Sequence, residues 1–189
     1  MRKISYLLVL LCLACLVSCG NTDVEGTYFM VSNTSSYLAF QKSEVSRGEY
    51  GGTAKDREEK LINWYVDDGH IYINEADYLI DDYFLVENKV IKGEEIPESG
   101  FFSGTYAFEN ETKPYYHTNR LKIDEIRFNK DGTATIIKTY DYSQDYTEEV
   151  KCKYSRDENL ITIVSEEYSD KEYAYVIDGK LYYGNIYRK

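Results

Sequence analysis

The residues of this chain that could perform acid, base or nucleophilic chemistry are few and scattered. His70 and His117 are the two histidines, and neither lies in a nucleophile-elbow or thiol-protease context. The sequence therefore offers few residues from which a Ser-His-Asp or Cys-His site could be built. His70 follows a turn glycine and begins a predicted strand, where a surface or half-buried histidine is expected. The sequence predicts no catalytic residue.

Carboxylates occur in adjacent pairs, and adjacent residues of a strand point to opposite sides of its sheet. No doublet is therefore an acid/base pair by itself, and we expect the doublets to form an acidic surface. They are Asp67-Asp68, Asp81-Asp82, Glu148-Glu149 and Glu166-Glu167. A hydrolase that uses carboxylates far apart in sequence is an alternative hypothesis.

The sequence predicts no metal ion and no cofactor. Oxygen-bearing side chains alternate from Asp141 to Asp145, as at the start of a calcium loop. The turn glycine of such a loop is missing, however, and Cys152 occupies the position of its final glutamate. Phosphate-loop, dinucleotide and zinc spacings are also missing from the sequence.

One segment combines aromatic side chains with loop composition. Tyr115, Tyr116 and His117 lie in a loop-like insertion between Phe108 and a strand that begins at Leu121. Exposed aromatic residues on a loop can contact sugars or protein partners, so these three residues are the candidate contact loop. The alternative is that the tyrosines fold back onto the mouth of a barrel.

The N-terminus has the features of an export signal. Arg2 and Lys3 precede the apolar stretch 4–17, which is shorter than the about 20 residues needed to span a bilayer core. The stretch runs into Leu16-Val17-Ser18-Cys19-Gly20, which resembles the lipobox of bacterial lipoproteins. Residues 1–18 are thus predicted to be a signal peptide that is removed.

The resemblance implies a diacylglycerol thioether on Cys19, with cleavage before this residue by the lipoprotein signal peptidase. Two acyl chains anchor a protein stably, so the expected location is extracytoplasmic and attached to the bacterial cell membrane. Gly20 replaces the aspartate that retains Gram-negative lipoproteins in the inner membrane, and the choice of membrane stays open. Residues 19–25 form a short tether, so the folded part should lie close to the bilayer.

Composition narrows the possible partners. Removing 18 of 189 residues leaves 171, and the loss of Arg2 and Lys3 changes the formal net charge from −11 to −13. Such an acidic protein is repelled by nucleic acid and by anionic lipid, so no nucleic-acid partner is expected and membrane attachment must come from the lipid. Cys152 is the one cysteine left besides Cys19, which excludes a disulfide framework. Lys151, Cys152 and Lys153 alternate between charged and apolar as in a strand with one buried face, which predicts that Cys152 faces a core.

The mature sequence contains an internal repeat, in which four motifs recur in the same order with offsets of 78 to 90 residues. The pairs are Gly26-Thr27-Tyr28 with Gly104-Thr105-Tyr106, Gly52-Thr53-Ala54 with Gly132-Thr133-Ala134, the turn at Asp67-Asp68-Gly69 with that at Asp157-Glu158-Asn159, and Asn88 with Asp178 in the closing hairpins. Alternating apolar residues and Asp-Gly turns predict that each copy consists of β-hairpins.

This arrangement of Gly-Thr-Tyr, strands and turns resembles the small lipocalin-like domains of many bacterial lipoproteins. We therefore predict an all-β protein of two tandem, duplicated antiparallel barrel or sandwich modules, with one barrel built from two halves as the alternative. The repeats are assigned to residues 26–92 and 102–189. Residues 93–101 are acidic, contain Pro97 and are predicted to be the linker.

Taken together, these features favour a non-catalytic module that binds a small ligand or a protein partner at the cell envelope. An inhibitor or immunity lipoprotein directed against a basic protein is an alternative, since the acidic surface would suit a basic target. The sequence does not identify the ligand. An enclosed cavity would support ligand binding inside a barrel, whereas a filled core would favour recognition at the surface.

Overall fold

The computed structural model describes residues 24, 26–42, 50–55, 61–67, 70–73, 75–81, 83–109, 113–116, 121–140, 143–168 and 171–189. Within these ranges every regular element is a β-strand, and no helix is long and apolar enough to cross a membrane. The predicted signal peptide, Cys19 and His117 lie outside the described residues.

The strands are β1 (Gly26–Met30), β2 (Tyr37–Lys42), β3 (Tyr50–Lys55), β4 (Leu61–Asp67), β5 (His70–Ile73), β6 (Ala76–Asp81), β7 (Phe84–Glu87), β8 (Val90–Ile91), β9 (Gly104–Ala107), β10 (Tyr115–Tyr116), β11 (Leu121–Phe128), β12 (Thr133–Tyr140), β13 (Ser143–Asp157), β14 (Leu160–Ser165), β15 (Lys171–Ile177), β16 (Lys180–Tyr182) and β17 (Ile186–Arg188).

The first barrel is a closed antiparallel meander. Strands β1 to β7 pair in chain order, and β17 fills the gap between β7 and β1. Phe29 of β1 is opposite Arg188, and Leu85 of β7 is opposite Tyr187. Because closure removes the free strand edges, this barrel offers no edge for pairing with another chain.

The second barrel has the order β9-β11-β12-β13-β14-β15-β16-β8, and β10 adds to β11 beyond the end of β9. A single antiparallel bridge from Lys92 to Ala107 joins the two ends of this path. The Ala107 N–H donates to the Lys92 carbonyl oxygen over 2.8 Å. Within the described residues, this single bridge closes the second barrel.

The two barrels have the same strand order, since β1-β2-β3-β4-β5-β6-β7-β17 corresponds to β9-β11-β12-β13-β14-β15-β16-β8. The paired Gly-Thr-Tyr motifs begin β1 and β9, and the second-position motifs lie at β3 and at the start of β12. The prediction of an all-β protein with two barrel modules is confirmed, and the strand order agrees with the predicted duplication.

Each barrel takes its closing strand from the other half of the sequence. The chain leaves the first barrel after Glu87 and supplies β8 to the second, then leaves the second after Tyr182 and supplies β17 to the first. The two crossing segments pair with each other, because Glu87 N donates to Asn185 O and Tyr183 N to Lys89 O. The chain thus crosses at Asn88–Lys89, ahead of the predicted linker 93–101.

Residues 93–101 pack onto the second barrel. The Ile96 side chain is buried, and its N–H donates to the carbonyl oxygen of Gly179 over 2.8 Å. The Arg156 guanidinium donates to the carbonyl oxygens of Pro97 and Glu98 at 2.7 and 2.9 Å. This segment is a covering strap of one barrel, although its acidic, proline-containing sequence is typical of a linker.

Aromatic side chains fill much of both barrel interiors in the described part. In the first barrel, Phe40 packs edge-on against Tyr28 and Trp64, with ring centroids 5.5 and 5.4 Å away. In the second, Phe128 lies 4.8 Å from Phe102 and 4.9 Å from Tyr154 between centroids. These contacts give large buried apolar area at a low cost in side-chain entropy.

A third apolar cluster joins the outer faces of the two barrels. Val86 and Ile186 of the first barrel pack with Tyr175 and Tyr182 of the second, and all four are buried. In β7 the neighbouring Leu85 points into the first core instead, as the two-residue period of a strand requires. The barrels therefore exchange their closing strands and also pack against each other through buried apolar side chains.

Candidate binding cleft between the two barrels

A polar concavity lies where the chain crosses between the barrels. This junction cleft has a volume of about 520 Å³. It is lined by Ser32, Glu87, Lys89, Lys113, Pro114, Glu172, Tyr173, Tyr183, Gly184 and Asn185. The lining thus includes both crossing segments, the loop after β1, the insertion of the second repeat and the start of β15.

Glu87 is the buried charge at the centre of the crossing, with 7% of its surface exposed. One carboxylate oxygen accepts the Asn185 N–H over 2.9 Å, and the other is 2.6 Å from the Lys89 ammonium. A Cβ atom on Gly184 would lie 2.9 Å from the Glu87 Oε2 atom. The glycine therefore allows the two crossing segments to approach, and the pairing stabilises the buried carboxylate.

Two buried tyrosines lie next to Glu87 inside the first barrel. Burial is the main cause that raises the pKa of Tyr78 and of Tyr187 above the usual tyrosine range, and the negative charge of Glu87 adds to both increases. The Tyr78 and Tyr187 rings pack edge to face, with centroids 6.0 Å apart. Both hydroxyls are therefore neutral at physiological pH.

On the side of the second barrel, Glu172 and Tyr183 line the cleft. The Tyr183 hydroxyl donates to Glu172 Oε2 over 2.5 Å. Nearby in the same barrel, the buried Lys138 ammonium is 3.0 Å from Glu148 Oε1. Glu149 is exposed, so the Glu148-Glu149 doublet divides between the two sides of β13 as the sequence predicted.

The predicted contact loop borders this cleft in part. Lys113 and Pro114 line it, and Lys113 forms an ion pair with Asp124. Tyr115 and Tyr116 form the short strand β10, opposite Lys122 and Leu121 of β11. The backbone of the predicted loop therefore continues directly from the cleft wall, whereas His117 lies outside the described residues.

The other residues considered for chemistry lie elsewhere. His70 is half-buried, and its Nδ1 atom is 2.8 Å from Asp77 Oδ1 on the first barrel. Cys152 is buried in the second core, as predicted, and burial raises its pKa to about 11. No three His, Cys, Asp or Glu side chains in the described ranges are placed to hold a metal ion. Cys19, the predicted lipid attachment residue, lies outside these ranges.

The lining suits binding of a polar molecule. It presents carboxylates from Glu87 and Glu172, ammonium groups from Lys89 and Lys113, and backbone groups at Gly184. Sequence reasoning did not select Glu87, Lys89, Glu172 or Asn185. The available signal was the polar stretch Glu87-Asn88-Lys89, which interrupts an otherwise apolar run between Phe84 and Ile91.

Comparison of the chain with protein-family models, with curated proteins and with solved structures finds no match.

Proposed function

We propose that this protein is a lipid-anchored, extracytoplasmic binding protein that performs no catalysis and takes a small polar ligand in the junction cleft. The observation that carries the proposal is the convergence of charged groups from both barrels on one cavity of about 520 Å³. Pockets for small ligands commonly have volumes of about 300–1,000 Å³. The lipobox-like sequence ending in Cys19 supports the anchoring part of the proposal.

The filled barrel interiors support a site at the junction over one inside a barrel. Phe128, Phe102 and Tyr154 occupy the second core, and Trp64 and Phe40 occupy the first. A ligand would find apolar side chains there, packed close to the density of a protein interior. The junction instead combines open space with hydrogen-bonding groups.

The charges of the lining indicate a ligand that carries both signs, such as an amino acid or a short peptide. A ligand ammonium would bind the Glu172 carboxylate, and a ligand carboxylate would bind Lys89, whose side chain is 53% exposed. The two signs balance in the lining, so a ligand with a single net charge would gain less from the site.

Amide NMR spectra of the chain from Gly20 onward, titrated with the common amino acids, a set of dipeptides and a set of neutral sugars, test this function. We expect saturable shifts at Lys89 and at residues 183–185 with an amino acid or a dipeptide. Replacement Glu172→Gln should weaken that affinity about tenfold, because hydrogen bonds to charged groups contribute about 1.5–3 kcal/mol. Glu149→Gln, on the exposed side of β13, is the control. Shifts from sugars alone, or unchanged affinity in Glu172→Gln, would count against the proposal.

A further inference from the structure

The N-terminal tether fixes which end of the first barrel is held near the membrane. Val24 is fully buried in the first core, and β1 begins two residues later at Gly26. Four residues lie between Cys19 and Val24, so the two Cα atoms are five steps apart along the chain. At about 3.3–3.6 Å per residue this length of chain spans at most roughly 18 Å. A lipid on Cys19 would therefore hold that end of the barrel close to the headgroups.

Lys189 lies beside the start of β1, where the tether enters the first barrel. The Lys189 side chain covers Gly26, where an added Cβ atom would lie 2.8 Å from the Lys189 Cε atom. The Lys189 N–H donates to the Tyr83 carbonyl oxygen over 2.7 Å. Arg188 precedes Lys189 in sequence and pairs with Phe84, the neighbour of Tyr83. We call Tyr83, Arg188 and Lys189 the anchor-side rim.

The chemistry of the anchor-side rim suits a phospholipid surface. Tyr83 has 67% of its surface exposed, the highest exposure among the large apolar and aromatic side chains in the described residues. The Arg188 guanidinium lies 5.4 Å from the Phe84 ring centroid, and the Lys189 ammonium lies 5.7 Å from that of Tyr28. In the described part of the chain neither cation pairs with a carboxylate, although the protein has a net charge of −11.

We propose that the anchor-side rim rests on the membrane that holds Cys19, with Tyr83 at the headgroup level and Arg188 and Lys189 on lipid phosphates. Tyrosine is favoured at the membrane–water interface, and basic residues close to the surface are attracted by anionic lipid. This inference rests on the lipid anchoring in the proposed function.

The orientation has a consequence for the junction cleft. Strand β7 runs from Phe84, beside the rim, to Glu87, which lines the cleft. The rim and the cleft are therefore at opposite ends of this strand. With the rim on the bilayer, the cleft is displaced from the membrane surface and open to soluble ligands.

Oxidative footprinting of the chain Cys19–Lys189 tests the orientation without changing the rim. The chain is joined through Cys19 to a maleimide lipid in vesicles of phosphatidylethanolamine and phosphatidylglycerol, and its reference is the same chain capped with a soluble maleimide. Cys152 is buried and its pKa is raised to about 11, so Cys19 reacts selectively. Tyr168, which is 51% exposed on the turn before β15, is the matched control residue.

We expect hydroxyl-radical oxidation of Tyr83 to fall several-fold on vesicles while that of Tyr168 stays unchanged. Equal oxidation of Tyr83 in both forms, or stronger protection of Tyr168, would overturn the proposed orientation.

The double replacement Arg188→Glu and Lys189→Glu should remove most of the protection of Tyr83. The control double replacement, Lys171→Glu with Lys180→Glu, changes exposed residues of the second barrel and should retain the protection. Retained protection in the rim variant would overturn the role of the cations. Trp64 fluorescence verifies that the first barrel of each variant is folded, and resistance of the Cys152 thiol to thiol reagents verifies the second.

Natural lipidation is measured separately, by the mass of the chain extracted from bacterial membranes. Because the vesicle experiment attaches the lipid chemically, its result does not depend on that measurement. An unlipidated natural chain would overturn the proposed anchoring, whereas an unprotected Tyr83 on vesicles would overturn the orientation alone.

Discussion

Gly93 lies against the ring of Tyr106, and a Cβ atom built on this glycine would be 2.2 Å from the Tyr106 Cδ1 atom. Tyr106 is 1% exposed, and burial, followed by the charge of Glu94, raises its pKa to about 12. The start of the strap is therefore held to the second barrel by close packing on one aromatic ring. Any side chain at position 93 must push this ring or the strap away.

We accordingly expect Gly93→Ala to lower the free energy of unfolding by about 1–3 kcal/mol, the usual cost of overpacking a well-packed site. Urea unfolding followed by circular dichroism measures the change. Ser103→Ala, at an exposed position between the strap and β9, is the control and should change stability by less than about 0.5 kcal/mol. Equal stability of the two variants would show that residue 93 is free to move.

The residues that line the junction cleft differ in whether the sequence alone could have indicated them. The insertion containing Lys113 and Pro114 could be selected because its composition differs from the strands on either side. Glu172 could not, since it lies in a strand and its neighbours in sequence give no sign of a site, and the polar stretch at Glu87 does not by itself indicate what it faces. Glu87 and Glu172 line one cavity because the crossing of the chain brings two distant strands together.

The sequence predicts best those strands that are joined to the next strand by a short turn. Asp178-Gly179 joins β15 to β16 as a two-residue turn with φ values of 49° and 71°, as its residue types predict. Asp131-Gly132 instead belongs to a longer loop, because Phe128 pairs with Ala134 and the Asp131 carboxylate accepts the Thr133 N–H. The turn Asp68-Gly69 lies outside the described residues.

The closing strands could not be predicted, for a physical reason. Strands β8 and β17 are two and three residues long, and their partners are remote in sequence. Alternation in a strand determines which face is buried, but it does not determine which edge the strand joins. The exchange between barrels depends on where the chain crosses, and hairpin patterns contain no information about this point.

Removal of residues 186–189 should open the first barrel selectively. It deletes the pairing of β17 with β1 and β7 and the buried side chains of Ile186 and Tyr187, whose burial contributes roughly 3–6 kcal/mol at about 1.5–3 kcal/mol each. Trp64, the one tryptophan, reports on the first core, and Cys152 reports on the second. We expect red-shifted tryptophan emission together with a Cys152 thiol that still resists thiol reagents.

The reciprocal variant is Ile91→Asp in β8, which places a charge in the second core. It should expose the Cys152 thiol and leave the Trp64 emission close to that of the parent chain. If the truncation exposed Cys152 while the emission stayed unshifted, the assignment of β17 to the first barrel would be wrong.

At the scale of the whole molecule, the exchange makes the two halves of the chain unequal. A fragment of residues 88–189 contains every strand of the second barrel and also β17, whereas a fragment of residues 20–87 lacks the closing strand of its own barrel. We expect the C-terminal fragment to fold alone and the N-terminal fragment to remain largely unfolded.

Mixing the fragments should restore the emission of Trp64, because β17 can then complete the first barrel and the apolar contact around Val86 and Tyr175 can form. Analytical ultracentrifugation should show a complex with one copy of each fragment. A mixture that includes a C-terminal fragment ending at Asn185 is the control and should leave the emission red-shifted. Independent folding of residues 20–87 would contradict the dependence of the first barrel on β17.

The position of β17 at the end of the sequence also determines when the first barrel can be completed during synthesis. Strands β1 to β7 leave the ribosome before any strand of the second barrel, yet their barrel lacks an edge partner until residues 186–188 follow. Through almost the whole of synthesis β1 and β7 therefore present open edges, the feature of a sheet that most readily recruits a wrong partner. The half of the protein that is made first is thus completed last, and it needs protection from aggregation for longer than the half that follows it.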